Sequence, residues 1–164
     1  MDERDLIDSL INEWKNERSD LDVSAMEVVG RILKLSKILE KRASKVLSVY
    51  NIHYTDLDVL ATVRRSGNPY ELTPSQLMKS VLITSGAMTA LLKRLTKLKL
   101  IYRSPDPKDG RIKLVGLTSK GFKLIDKSIE IRFAEASDSI KILNKVESTE
   151  LSTLLKKMLI SLNS

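Results

Sequence analysis

The chain has no cysteine and a single histidine, which excludes a disulfide, a thiolate metal site and a thiol redox switch. One imidazole, six scattered glycines without a phosphate-cradling loop, and no cluster of metal-ligand residues leave little from which to build catalysis. A non-enzyme without metal or cofactor is expected. No run of apolar residues approaches the roughly 18 needed for a membrane span. The N-terminus opens on acidic and polar residues rather than a basic run and an apolar core, so no signal peptide is expected. These absences point to a cytoplasmic protein without membrane contact. With 164 residues, 42% of them hydrophobic, the chain can fill one sizeable core and is too short for two large domains.

Charge is present, and it is concentrated. Lys79, Lys93, Arg94, Lys97, Lys99, Arg103, Lys108, Arg111 and Lys113 face only Asp106 and Asp109. That window has the same net charge, +7, as the whole chain, so the residues outside it are neutral in sum. A confined basic patch implies a polyanionic partner, whereas the same lysines on an ordinary solvated helix face would imply nothing.

Helical spacing of Leu6, Ile7, Leu10, Ile11 and Trp14 predicts a short amphipathic helix ending near 18–20. Ser24 and Glu27 have capping-box spacing and open a second helix, whose stripe of Val29, Leu33, Leu39, Ala43, Val46, Leu47 and Tyr50 runs about seven turns to Asn51. A helix that long needs more than a small core to lie against. Thr55 and Asp58 repeat the capping spacing ahead of Leu57, Leu60 and Ala61, and 66–69 stops that helix. Glu71 and Leu72 leave room for a very short strand. Thr73-Pro74-Ser75-Gln76 then supplies an N-cap, a proline where its missing N–H costs nothing, and a glutamine able to reach back.

Two short helices crossing steeply bury few side chains, and Leu77, Val81, Ile83, Met88, Leu91 and Leu95 have the offsets such a pair needs. Leu82 stands where many such turns carry glycine, predicting a longer or differently shaped turn. Thr84 or Ser85 caps the second helix. With Met88, Leu91, Leu92 and Leu95 inward, its outward positions are Ser85, Gly86, Thr89, Ala90, Lys93, Arg94 and Lys97: small residues first, long cations after. This order suits a helix entering the DNA major groove by its N-terminal end, with cations on the phosphates. No Asn, Gln or Arg occupies the first outward positions, so thymine methyls or DNA shape are expected to contribute to specificity. A strand from Ile101, a tip over 105–110 with two prolines, and a return strand with Ile112 and Leu114 on one face form a hairpin carrying Arg103, Lys108 and Arg111. Asp109 cannot bind phosphate and is expected to hold Arg111 or Arg94 in place. The reading is a mainly α chain with a small β-wing: a winged helix-turn-helix over 51–118, flanked by helices over 1–50 and 119–164.

Leu72-Thr73-Pro74-Ser75-Gln76-Leu77, Ser85-Gly86-Ala87-Met88-Thr89, Lys93-Arg94-Leu95, Leu100-Ile101-Tyr102-Arg103, Asp106-Pro107-Lys108-Asp109-Gly110-Arg111 and Leu117-Thr118-Ser119-Lys120-Gly121 together resemble successive blocks of the MarR family of regulators. The resemblance covers about 58–124. It departs from the family at Gly110, where a second arginine is common, and at Lys99, where glycine is common. It implies a homodimer held by interlocking terminal helices. The sequence agrees independently. A helix capped by Thr118 carries Phe122, Ile125, Ile129, Phe133, Ala136, Ile140 and Leu143, and another starting at Ser148-Thr149 carries Leu151, Leu154, Leu155, Met158 and Leu162, more apolar face than a small domain covers.

The resemblance further implies release of DNA by a small aromatic or anionic effector. The extended N-terminal helix with its tryptophan resembles the branch responding to urate and phenolic compounds. Candidate pocket groups are Trp14, His53, Asp58, Arg64 and Arg65. Each has a plainer alternative: packing for Trp14, a cap for Asp58, the helix C-terminal dipole for the arginines, and a solvent-facing loop for His53. The expected function is a sequence-specific transcriptional regulator, a repressor, binding double-stranded DNA as a homodimer. DNA contacts are expected from Ser75, Thr84, Ser85, Gly86, Thr89, Ala90, Lys93, Arg94, Lys97, Arg103, Lys108, Asp109 and Arg111. Non-specific DNA compaction and a winged-helix protein-interaction module are the alternatives.

Overall fold

A computed structural model of the chain describes residues 4–81, 85–107 and 109–163. The expected Leu82 turn, Ile83, the Thr84 cap and Lys108 lie outside those residues. The chain divides into two compact units, 1–42 and 43–164.

In the first unit, helix α1 (Leu6–Glu17) starts at a capping box that sequence reading overlooked: Asp5 accepts from the Ile7 and Asp8 amides, and Asp8 accepts from the Asp5 amide. Helix α2 (Ser24–Leu47) begins where Asp22 accepts from the Ser24 amide at 2.9 Å. Arg31 ties the two helices, donating to Asp5 at 2.8 Å and Asp8 at 2.5 Å, and Ile7 packs at Gly30. Leu33, Val29 and Leu39 on α2 are exposed.

The second unit holds the main core. The last turn of α2 buries Ala43 and Leu47, and after a 3-10 turn the chain reverses at Asn51, whose φ is 55°. Helix α3 (Tyr54–Arg65) follows, then strand β1 (Glu71–Leu72), helix α4 (Pro74–Ser80) and helix α5 (Ser85–Lys97). Strands β2 (Ile101–Pro105) and β3 (Lys113–Leu117) form an antiparallel hairpin, and β1 pairs with the far edge of β3, giving the order β1-β3-β2. Helices α6 (Ser119–Ser139) and α7 (Lys145–Leu162) complete the chain. Leu57, Leu60 and Val63 of α3, Leu77 of α4, and Met88, Leu91, Leu92 and Leu95 of α5 meet Leu100, Ile101, Val115 and Ile125 in one cluster. The expected mainly α chain with a small β-wing is the architecture observed. The fold is mainly helical with one small sheet, a winged helix-turn-helix.

Three local expectations are corrected. Helix α3 is capped at His53, whose amide donates to Asp56 at 2.7 Å, and not by Thr55 and Asp58. Helix α7 starts earlier than Ser148, at an Asn144 cap that receives the Val146 and Glu147 amides while Glu147 receives the Asn144 amide. Ile112 precedes β3 and is exposed, and the buried residues of that strand are Val115 and Gly116, with Val115 on the face opposite Leu114.

The end of α5 explains the departure at Lys99. The Leu100 amide donates to the Leu95 carbonyl at 3.0 Å and the Lys99 amide to Thr96 at 2.9 Å, the paired bonds of a helix stop that needs a left-handed residue. Lys99 supplies it, at φ 58°. Lys99→Gly is therefore expected to raise stability by about 0.5–1 kcal/mol, read as a higher denaturation midpoint; a lower midpoint would reject the strain. Nearby, Thr118 accepts from the Gly121 amide at 2.9 Å, Lys120 donates to the Leu98 carbonyl at 3.0 Å, and Gly121 packs so closely on the Leu100 carbonyl that no Cβ fits. The Thr118-Ser119-Lys120-Gly121 block is thus a joint between α5, the sheet and α6.

Candidate nucleic-acid interface

Helix α5 turns Met88, Leu91, Leu92 and Leu95 into the core and leaves Gly86, Thr89, Ala90, Lys93 and Lys97 exposed. Ser85 opens the helix, and Ser75, in the first turn of α4, is exposed. Lys79, Lys99, Arg103, Arg111 and Lys113 are exposed as well. Helix face and hairpin thus carry cations on solvent-facing positions of adjoining elements, the arrangement that phosphate binding requires.

Arg94 behaves differently from its neighbours. Its guanidinium forms an ion pair with Oδ2 of Asp56, a carboxylate with no solvent exposure, and reaches the Asn51 carbonyl at 3.4 Å. The same Oδ2 accepts the His53 amide, while Oδ1 has no hydrogen-bond partner among the described residues. One carboxylate therefore caps α3 and tethers α5. Arg94, expected on phosphate, is occupied inside the domain.

At the wing tip, Asp109 accepts from Nε and Nη2 of Arg111 at 2.9 and 3.0 Å and from its amide at 3.1 Å. These bonds hold the Asp109 carboxyl below the usual carboxylate range, the guanidinium contributing most. Asp106 donates its amide to the Ile112 carbonyl, and the Ile112 amide closes on Asp109, so the tip is a hydrogen-bonded turn. Of the two arginines offered for Asp109, the structure selects Arg111, 91% exposed in its side chain. Its planar donors are held outward by a single acid.

A cavity of about 530 Å³ lies between α3 and α6. One face of α3 (Tyr54, Leu57, Asp58, Ala61, Arg64 and Arg65) and one face of α6 (Ile125, Asp126, Ile129, Arg132, Phe133 and Ala136) line it. Asp58, Arg64 and Arg65 are thus brought together. His53 is not among the lining residues; it is the exposed cap of α3. Trp14, 54% exposed, belongs to α1 in the other unit. Arg64 donates to Asp126 at 2.8 Å and lies 4.3 Å from the Phe122 ring centroid, its pKa raised chiefly by the Asp126 hydrogen bond. Arg132 pairs with Glu135 at 2.8 Å and faces the Tyr54 ring. Sequence reading missed Tyr54, Asp126 and Arg132; Tyr54 shares a helix face with Asp58, and Asp126 and Arg132 share one with Ile129 and Phe133, but only the packing of α3 on α6 joins the two.

The geometry defines a DNA-binding regulator of the winged helix-turn-helix class. Residues 50–112 match the family model described as "MarR family". The chain is 33% identical to the HTH-type transcriptional regulator PecS of Dickeya dadantii over 152 residues, 93% of this chain and 92% of that one. Among solved structures, the S. aureus MepR–DNA complex superposes with a TM-score of 0.75 at 26% identity, covering 82% of this chain and 97% of that one. A cysteine-to-serine mutant of E. coli MarR complexed with operator DNA gives 0.73 at 25% identity, covering 95% and 99%. The chain belongs to the MarR family of transcriptional regulators.

Proposed function

We propose that the chain is a homodimeric repressor of a pseudo-palindromic operator whose half-sites lie about one helical turn, on the order of 10 bp, apart. Residues 51–118 bind DNA, and 1–50 with 119–164 form the dimer. The observation that carries this reading is the α5 face, with small side chains at its N-terminal half and Lys93 and Lys97 beyond, next to the wing's Arg103 and Arg111. MepR and E. coli MarR, both solved with DNA, support the transfer of DNA binding to this chain. The exposed apolar residues of α6 and α7 support self-association, because a monomer leaves them in water.

A small aromatic or anionic molecule in the α3–α6 cavity releases the DNA. Its volume of about 530 Å³ falls in the range typical of small-molecule sites, and its apolar floor with arginine rims suits a flat, polar-edged ligand. A coupling of about 1–3 kcal/mol between cavity and DNA changes affinity roughly 5- to 150-fold.

The test is a titration of the purified protein against DNA from upstream of its own gene and against a scrambled duplex, at several salt concentrations. Preference of at least about 10³ for one sequence is expected. Equal, steeply salt-dependent binding to both would favour DNA compaction instead. In the same assay Lys93→Ala should weaken binding and flatten the salt slope by about one charge. An unchanged slope would remove Lys93 from the interface.

A further inference from the structure

The outer face of the sheet carries one row of residues that the DNA-binding surface does not use. Glu71 on β1 stands opposite Gly116 on β3, and Gly116 stands opposite Tyr102 on β2. The Tyr102 ring lies over Gly116 so closely that a Cβ at 116 would collide with it. It crosses the central strand, and its hydroxyl donates to Oε1 of Glu71 at 2.9 Å. Ser104, two residues along β2 and on the same face, donates to the same oxygen at 3.3 Å. Burial and the Glu71 carboxylate both raise the Tyr102 pKa, burial more, so the hydroxyl keeps its donor proton at neutral pH.

This row spans the sheet from edge to edge. The core side of the β2–β3 hairpin is held by Ile101 and Val115, and on its outer face the two-residue β1 is tied to β2 across β3 by this row of side chains, beyond which Arg103 and Arg111 stand exposed. Arg103 follows Tyr102 on β2, and Arg111 lies at the tip of the same hairpin. Glu71 is an acid beside a surface meant for a polyanion, where its charge alone opposes binding.

We propose that Glu71, Gly116 and Tyr102 are positioning residues that lock the wing at the angle from which Arg103 and Arg111 reach the DNA backbone. The proposal rests on the reading that the wing contacts DNA. Glu71 acts through the hydroxyls it receives and touches no phosphate, so its removal has a sign that separates the lock from a bystander. An acid without a positioning role repels DNA, and deleting it strengthens binding. An acid that holds the wing does the reverse.

The experiment uses the full chain with the upstream duplex and a scrambled duplex, titrated across salt concentrations, with denaturation midpoints recorded in parallel. Glu71→Ala and Tyr102→Phe are expected to weaken binding roughly 3- to 10-fold, the loss of one or two hydrogen bonds. Both should flatten the salt slope by about one charge, because a freed wing releases its phosphate contact. Glu71→Gln retains the acceptor oxygen and keeps the original slope. Gly116→Ala, which pushes the ring away, reproduces the Glu71→Ala result. Arg111→Ala is the control for the wing itself. If it flattens the slope while Glu71→Ala binds as tightly as the parent or tighter, the lock is rejected and wing contact stands. If Arg111→Ala leaves the slope unchanged, wing contact fails and the lock with it. Weaker binding by Glu71→Ala with a lowered midpoint and an unchanged slope also overturns the proposal, since that is the mark of general destabilisation.

Discussion

Arg94→Ala should lower the stability of the folded chain by about 3 kcal/mol, because it strands a carboxylate rather than because it removes a favourable contact. Asp56 has no exposed surface, and its second oxygen has no hydrogen-bond partner among the described residues. Without the guanidinium, its charge is answered, among the described residues, by the His53 amide. The low end of the usual range for breaking a buried pair applies, since Arg94 is itself one third exposed and water can follow it in. Adding Asp56→Asn to Arg94→Ala should restore part of the loss, because a neutral amide needs no counter-charge. Chemical denaturation of the two variants and the parent decides the matter. Arg94→Ala with the stability of the parent would show that the pair carries no such burden. The same pairing makes a second distinction: Arg94 is already neutralised within the protein, so its removal should change the salt slope of DNA binding less than Lys93→Ala does.

Asp56 also shows where sequence reading reached its limit. Sequence spacing put the cap of α3 at Thr55 with Asp58, whereas the pair adopted is His53 with Asp56. Asp56 then points into the core toward Arg94, and Asp58 is left to face the cavity. The deciding partner is 38 residues away in sequence, beyond any local rule. At α4 no such competition exists. Thr73 receives the Gln76 amide at 3.2 Å and Gln76 receives the Thr73 amide at 2.8 Å, as the four residues alone indicated.

The candidate site divides along the same line. The inward set of α5 was legible, because Met88, Leu91, Leu92 and Leu95 obey one helical period and nothing else competes for it. The wing hairpin was legible from its prolines and its alternation, but not which face of β3 is buried: Leu114 and Val115 are both apolar, and only pairing of β3 with β1 and β2 over the core chooses Val115. The cavity was half legible. Its α3 wall contains three of the five residues suggested by family resemblance, while its α6 wall, with Asp126 and Arg132, comes from a helix whose contact with α3 no spacing announces.

Helix α7 bears on the remaining question, what the terminal helices lie against, and gives the second large expected effect. It runs for 18 residues without burying one of them, although Leu151, Leu154, Leu155, Met158 and Leu162 recur on one stripe. Leu154 and Leu162 are 60% and 80% exposed. Eighteen residues are held helical by packing of an apolar face far more than by intrinsic propensity, so an uncovered face implies a partner surface. In a two-fold dimer each side chain acts twice, and each buried leucine contributes roughly 1.5–3 kcal/mol. Leu154→Lys is therefore expected to raise the dimer dissociation constant by about 10²–10⁴, measured by sedimentation over a dilution series. The folded subunit should keep its denaturation midpoint at concentrations where both forms are monomeric, since Leu154 is mostly exposed and is not part of the core cluster. DNA affinity should fall with dimerisation, because two half-sites bound by separate monomers lose the effective concentration that tethering provides. A parent protein that sediments as a monomer while binding DNA with full affinity would overturn the dimer, and would leave the α7 stripe as a face for some other protein.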